Sequence, residues 1–111
     1  MLSLPPGIKI FVATQALDMR KSFDGMAALV TQQLQQDVYS GHLFVFTNKR
    51  VDRIKLFYWD RNGYCYWYKR LEQGVFRLPR IHDKVFKLSS SELMLILEGI
   101  ELTHRQRLTA C

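Results

Sequence analysis

An α+β fold is predicted for this chain: one compact domain with an antiparallel sheet built around a central hairpin, and two flanking helices. Three observations predict it. Two segments space their apolar residues at helical intervals, and five short runs rich in β-branched and aromatic residues are separated by turn residues. Asn62-Gly63 sits between the two most aromatic of those runs, and both residues tolerate the positive φ of a tight hairpin turn. A chain of 111 residues can bury one core but not comfortably two, so the domain is read as 1–111 with its core over about 8–102.

The elements follow in order. After Pro5, Pro6 and Gly7, "IKIFVA" (8–13) reads as a strand. "DMRKS" (18–22) leads into a helix in which Phe23, Met26, Ala27, Val30 and Leu34 repeat at i, i+3, i+4 and i+7, with Ser22 as N-cap. Gly25 weakens its first turn, which points to a close contact there. Ser40-Gly41 stops the polar run after it, and "HLFVF" (42–46) is the next strand. "TNKRVD" (47–52) connects it to the hairpin strands "RIKLFYW" (53–59) and "YCYWYKRL" (64–71). Gly74 and Pro79 mark turns, and "KVFKL" (84–88) is a further candidate strand. Ser89 and Glu92 have capping-box spacing, followed by Leu93, Ile96, Leu97 and Ile100 on one helical face, with Gly99 suited to the C-terminal cap. Residues 103–111 are expected to form a flexible basic tail.

Two hairpin registers are open. A two-residue loop at Asn62-Gly63 pairs Trp59 with Tyr66, Phe57 with Tyr68 and Lys55 with Arg70. A three-residue loop at 61–63 shifts the register by one and turns the second strand's side chains to the other faces. The rings are read chiefly as core or interface area: one aromatic face beneath both helices, the other partly covered by a loop or a second subunit. Stacking against bases is the alternative.

Charge is unevenly distributed. Residues 45–87 hold eleven Lys/Arg against four Asp/Glu, whereas the rest of the chain holds five against six. A confined cationic excess favours a polyanionic partner, because it releases counterions from phosphates; a solvated basic face that keeps the protein soluble is the alternative. Arg50, Arg53, Lys55, Lys69 and Arg70 are the candidate phosphate contacts, with Lys49, Arg61 and Arg20 in support. Other chemistries find little footing. His42, His82 and His104 are isolated, so no metal or other cofactor is expected. Asp18, Asp24, Asp52 and Asp60 could gather ions only if the fold brought them together. Cys65 and Cys111 form no disulfide framework, the N-terminus does not read as a leader, and no run reaches the roughly 20 apolar residues of a membrane span. A cytoplasmic protein with no membrane partner is the expectation.

Four strings, "DMRKSFDGM" (18–26), "VFTNKRVDRIKLFYWD" (45–60), "NGYCYWYKRLEQGVF" (62–76) and "LSSSELMLILEGIEL" (88–102), carry a family resemblance in order and approximate spacing. They resemble the TnpB or Orf2-like accessory protein of the insertion-sequence-66 family of bacterial transposable elements, which is unrelated to the RNA-guided nucleases called TnpB. The resemblance implies a non-enzymatic protein that assists a separate, element-encoded transposase. Its characteristic residues here are Asp18, Met19, Arg20, Lys21, Ser22, Asp24 and Gly25. Next come Phe46, Asn48, Arg50, Asp52, Arg53, Lys55, Trp59, Asp60 and Gly63, then Lys69, Arg70, Leu71, Glu72, Gly74, Phe76 and Pro79. Lys49 stands where Arg is expected, Leu78 where Trp is common and Glu101 where Asp is usual. DNA binding through the basic loop and hairpin is one expected role. Docking on the transposase without touching DNA is the other, and a homo-oligomer is compatible with both.

Overall fold

The computed structural model describes residues 4–99. Ile100, Glu101, His104, Cys111 and the expected tail 103–111 lie outside the described residues. The elements are β1 (Ile10–Ala13), α1 (Phe23–Gln32), β2 (Leu43–Thr47), β3 (Arg53–Asp60), β4 (Gly63–Arg70), β5 (Val85–Leu88) and α2 (Ser90–Leu97), with a single 3-10 turn at Val38–Ser40 before β2. The fold is α+β, and its one sheet is ordered β4-β3-β2-β1-β5.

Three of the four pairings are antiparallel, while β1 and β2 run parallel. A parallel pair needs a crossover, and α1 supplies it. The β3–β4 hairpin consequently forms one margin of the sheet, and β5 the other. Both helices had been expected over one face. Instead α1 and α2 cover opposite faces, as strand alternation requires of β1 and β2, which are buried along their whole length. Phe11, Phe44, Phe46 and Phe57 pack with Met26, Val30 and Leu34 on the α1 side. Ile10, Val12, Val45, Ile54 and Leu56 pack with Leu93, Ile96 and Leu97 on the α2 side, joined by Phe76 from the segment after β4.

The helix signals have physical counterparts. The Ser22 hydroxyl accepts the Gly25 N–H at 3.1 Å. Ser89 and Glu92 exchange both bonds of a capping box, at 2.9 and 3.1 Å. Gly99 follows α2 at φ 83°, its amide donating to the Ile96 carbonyl, a left-handed exit that suits glycine. At Gly25 a Cβ would lie 2.8 Å from the Lys21 Cγ, so the close neighbour is a flexible side chain. Phe23 is not core: it is 42% exposed, with its ring 5.2 Å from that of Tyr66.

The hairpin adopts neither expected register. Asp60 pairs with Gly63, leaving Arg61-Asn62 as the loop, with Trp59 opposite Tyr64 and Phe57 opposite Tyr66. Arg61, not glycine, takes the positive φ, at 47°. The ladder has slid two residues from the Asn62-Gly63 register, and an even slip keeps each side chain on its face. The ring cluster explains the choice. In this register Trp59 and Tyr64 both reach Tyr39, at centroid distances of 4.9 and 6.3 Å.

Candidate nucleic-acid interface

The topology sorts the chain's charge. The connections 14–22, 48–53 and 70–84 all meet one end of the strands, where β1, β2 and β4 finish and β3 and β5 begin. They carry nine Lys/Arg against four Asp/Glu. At the opposite end, the connections 4–9, 33–42 and 60–63 carry two of each. Charge scattered over some seventy residues of sequence thus becomes one basic end of the sheet.

The turn after β2 is braced by one of its own side chains. The Asn48 carboxamide oxygen accepts the N–H groups of Asp52 and Arg53 at 3.1 and 3.0 Å, and its Nδ2 donates to the Asp52 carboxylate at 2.6 Å. That last bond holds the Asp52 carboxyl below the usual carboxylate range, with the charges of Arg50 and Arg53 adding to the effect. Val51 occupies the left-handed region at φ 58°, an unfavourable place for a β-branched side chain. Lys49 and Arg50 project into solvent from this braced turn, and neither makes an ion pair among the described residues. Arg53 lies directly across from Arg70, a like-charge cross-strand pair. Only Arg70 is relieved, by Glu72 at 2.9 Å, which also raises its pKa.

The remaining basic candidates have different settings. Arg20 stays at the basic end, but it clamps Asp18 through Nε at 3.1 Å and Nη2 at 2.8 Å. This pairing, with the Arg20 N–H, drives the Asp18 carboxyl well below its ordinary range. Lys55 is only 4% exposed: its Nζ donates to the Met19 carbonyl at 2.8 Å and lies 4.5 Å from the Tyr66 ring centroid. Burial lowers its pKa, and little of the ammonium is left to meet a polyanion. Lys69 is half-buried, donating to the Leu97 carbonyl at 2.9 Å, where a cation caps the C-terminal end of α2. Arg61 sits at the hairpin tip beside Asp60, roughly 23 Å along the strands from Arg53.

Arg77, Arg80 and Lys84 were missed as candidates. Their segment is held at both ends and in the middle: Leu71 N–H donates to the Asp52 carbonyl, Phe76 N–H to the Val51 carbonyl, and Thr14 N–H to the Lys84 carbonyl. Between these ties, residues 77–82 run past the ends of β1 and β2 and enclose a cleft of about 540 Å³. Arg50, Arg77 and Arg80 line it together with Thr47 and the apolar side chains of Val12, Phe76 and Phe86. Long-range pairing, invisible in local sequence, brings 77–80 against the turn at 48–52. The one available signal was "RLPR" (77–80), two arginines bracketing a proline within the basic segment.

The sequence model of the IS66 Orf2-like proteins matches residues 8–107. The chain belongs to this family. It is 38% identical over 107 residues to the uncharacterized protein y4jC of Sinorhizobium fredii (strain NBRC 101917 / NGR234), covering 96% of this chain and 92% of that one. To y4hO of the same strain it is 32% identical over 105 residues, covering 93% and 91%. No solved structure matches. The IS66 Orf2-like family is one of transposition-associated accessory proteins rather than a known class of enzyme.

The IS66 Orf2-like motifs acquire structural meaning here. "DMRKS" is the turn that Asp18 and Arg20 lock, that Lys55 anchors through Met19, and that Ser22 converts into α1. Asn48 and Asp52 brace the basic turn. Asp18, Asp24, Asp52 and Asp60 do not gather: among the described residues no group of three His, Cys, Asp or Glu side chains could hold a metal ion. His42 accepts the Lys9 N–H through Nδ1 at 3.0 Å. No helix among the described residues is long and apolar enough to cross a membrane.

Proposed function

We propose that this protein is a non-enzymatic accessory factor in transposition that binds DNA through the basic end of its sheet. The segregation of charge carries this reading: nine cations meet one end, and Lys49, Arg50, Arg53, Arg77 and Arg80 lack ion pairs among the described residues. A like-charge pair such as Arg53 and Arg70 opposes folding, and phosphates between them would reverse its sign. Lys49, Arg50, Arg53, Arg70, Arg77 and Arg80 are the contacts, with Arg20 flanking them. The test is titration with duplex and single-stranded DNA at several salt concentrations. Affinity should fall steeply with salt and fall further in the Arg50→Ala/Arg53→Ala variant; affinity indifferent to both contradicts the reading.

A specific observation favours a second reading, docking on the transposase. β4 is an edge strand, and Tyr66 and Tyr68 on it are 41% and 42% exposed. Edge strands with exposed rings are suited to pairing and packing against another protein. Co-purification with the transposase that survives nuclease treatment supports this contact, and loss of the complex on such treatment returns the partnership to DNA.

A further inference from the structure

We infer that the cleft beside the basic end is a nucleotide pocket, which accepts one unpaired nucleotide of a DNA bound along that end. The inference rests on the DNA-binding reading and deepens it from a charged surface to a site with a chemical preference.

The cleft has the two halves a nucleotide requires. One is cationic: Arg50, Arg77 and Arg80 line it, are exposed, and make no ion pair among the described residues. Arginine is suited to phosphate because its planar fork gives two parallel hydrogen bonds. The other half is apolar, with Phe76 buried in the wall and Val12 and Phe86 beside it. A volume of about 540 Å³ lies within the ordinary range for small-molecule sites.

Thr47 supplies an independent observation. It is only 6% exposed and lines the cleft, on the strand face that also carries Val45. Its backbone carbonyl accepts the Leu17 N–H, but its hydroxyl has no hydrogen bond among the described residues. A buried hydroxyl without a partner is costly, and such groups are normally satisfied. Here the hydroxyl is available to the polar edge of a base seated against Phe76 and Phe86. Arg50 belongs both to the exposed turn and to the cleft, so a strand tracking the cations outside passes the mouth of the pocket. Fully paired DNA would keep its bases stacked and reach only the cations; an unpaired nucleotide costs little to turn inward.

The experiment uses the full chain and two duplexes of equal length, one fully paired and one with a single bulged nucleotide. Fluorescence anisotropy should give about tenfold tighter binding to the bulged duplex, the scale of stacking one base on a protein surface. Two variants report on the ratio of the two affinities. Thr47→Val removes the hydroxyl at nearly constant shape, and Leu78→Glu places a carboxylate in the cleft at a half-buried position, with circular dichroism confirming that each folds. Both should bring the ratio close to one. In parallel, dTMP and inorganic phosphate are titrated by NMR, where dTMP should shift the amides of Thr47, Phe76 and Arg80 at lower concentration than phosphate. Equal binding of the two duplexes, or a preference that survives both variants, overturns the pocket while leaving DNA binding standing. If neither duplex binds, the DNA reading fails, and dTMP decides the pocket alone: selective shifts uphold it. Equal responses to dTMP and phosphate, or none, end it.

Discussion

Asn48 braces the basic turn that follows β2. Its side chain bonds two backbone N–H groups and the Asp52 carboxylate, closing the turn from which Lys49 and Arg50 project. Asn48→Ala is expected to lower stability by about 1–3 kcal/mol in urea unfolding, the cost of leaving half-buried groups unpaired. DNA affinity should fall too, although no charge is removed. Asp52 adds a pH dependence. Its folded pKa is depressed, so its contribution to stability is complete above the unfolded value, about 4, and is lost as pH falls through the lower folded value. Asp52→Asn should therefore flatten the acid limb of a stability–pH curve, measured by thermal melts. The importance of Asn48 and Asp52 was visible in the sequence only through their place in the family motif, because a polar connection does not say which residue braces it. Lys55 is the converse case. A lysine between basic neighbours suggests a surface contact, yet strand alternation turns it inward beside Tyr66 and Tyr68.

At the scale of elements, the hairpin and the two helix caps test different parts of the account. Ser22, Ser89 and Glu92 were legible because a cap depends on residues within four positions of each other. The hairpin register was not. Asn62-Gly63 is a strong local turn signal, but the contacts of Trp59 and Tyr64 with Tyr39 select Arg61-Asn62 instead. Tertiary packing thus overrode turn preference by two residues and preserved the faces. Lys55→Met removes the bond to the Met19 carbonyl, which anchors the "DMRKS" turn to β3. It should cost about 1–2 kcal/mol of stability by chemical denaturation while leaving duplex affinity within about twofold. A larger effect on affinity than on stability would return Lys55 to the set of DNA contacts.

For the whole molecule, the decisive property is that one sheet topology gathers separate basic loops. The α+β class followed from periodicity, but helices on opposite faces and a parallel β1–β2 pair depend on how α1 crosses over, which no local pattern specifies. The same crossover decides which loops share an end, and so why Arg77 and Arg80 join the turn at 48–52 while Arg61, in the most basic-looking stretch, does not. The central claim is that this end, and not the basic composition as such, meets DNA. Its most direct measurement is the salt dependence of duplex affinity for the unaltered protein, Arg50→Ala/Arg53→Ala and Arg61→Ala. The double variant should make the negative slope of log K against log salt shallower by about 2, and Arg61→Ala should leave it unchanged within about 0.5. Equal losses per charge removed would contradict the account, because they would mean that net charge alone, wherever the fold places it, governs the interaction.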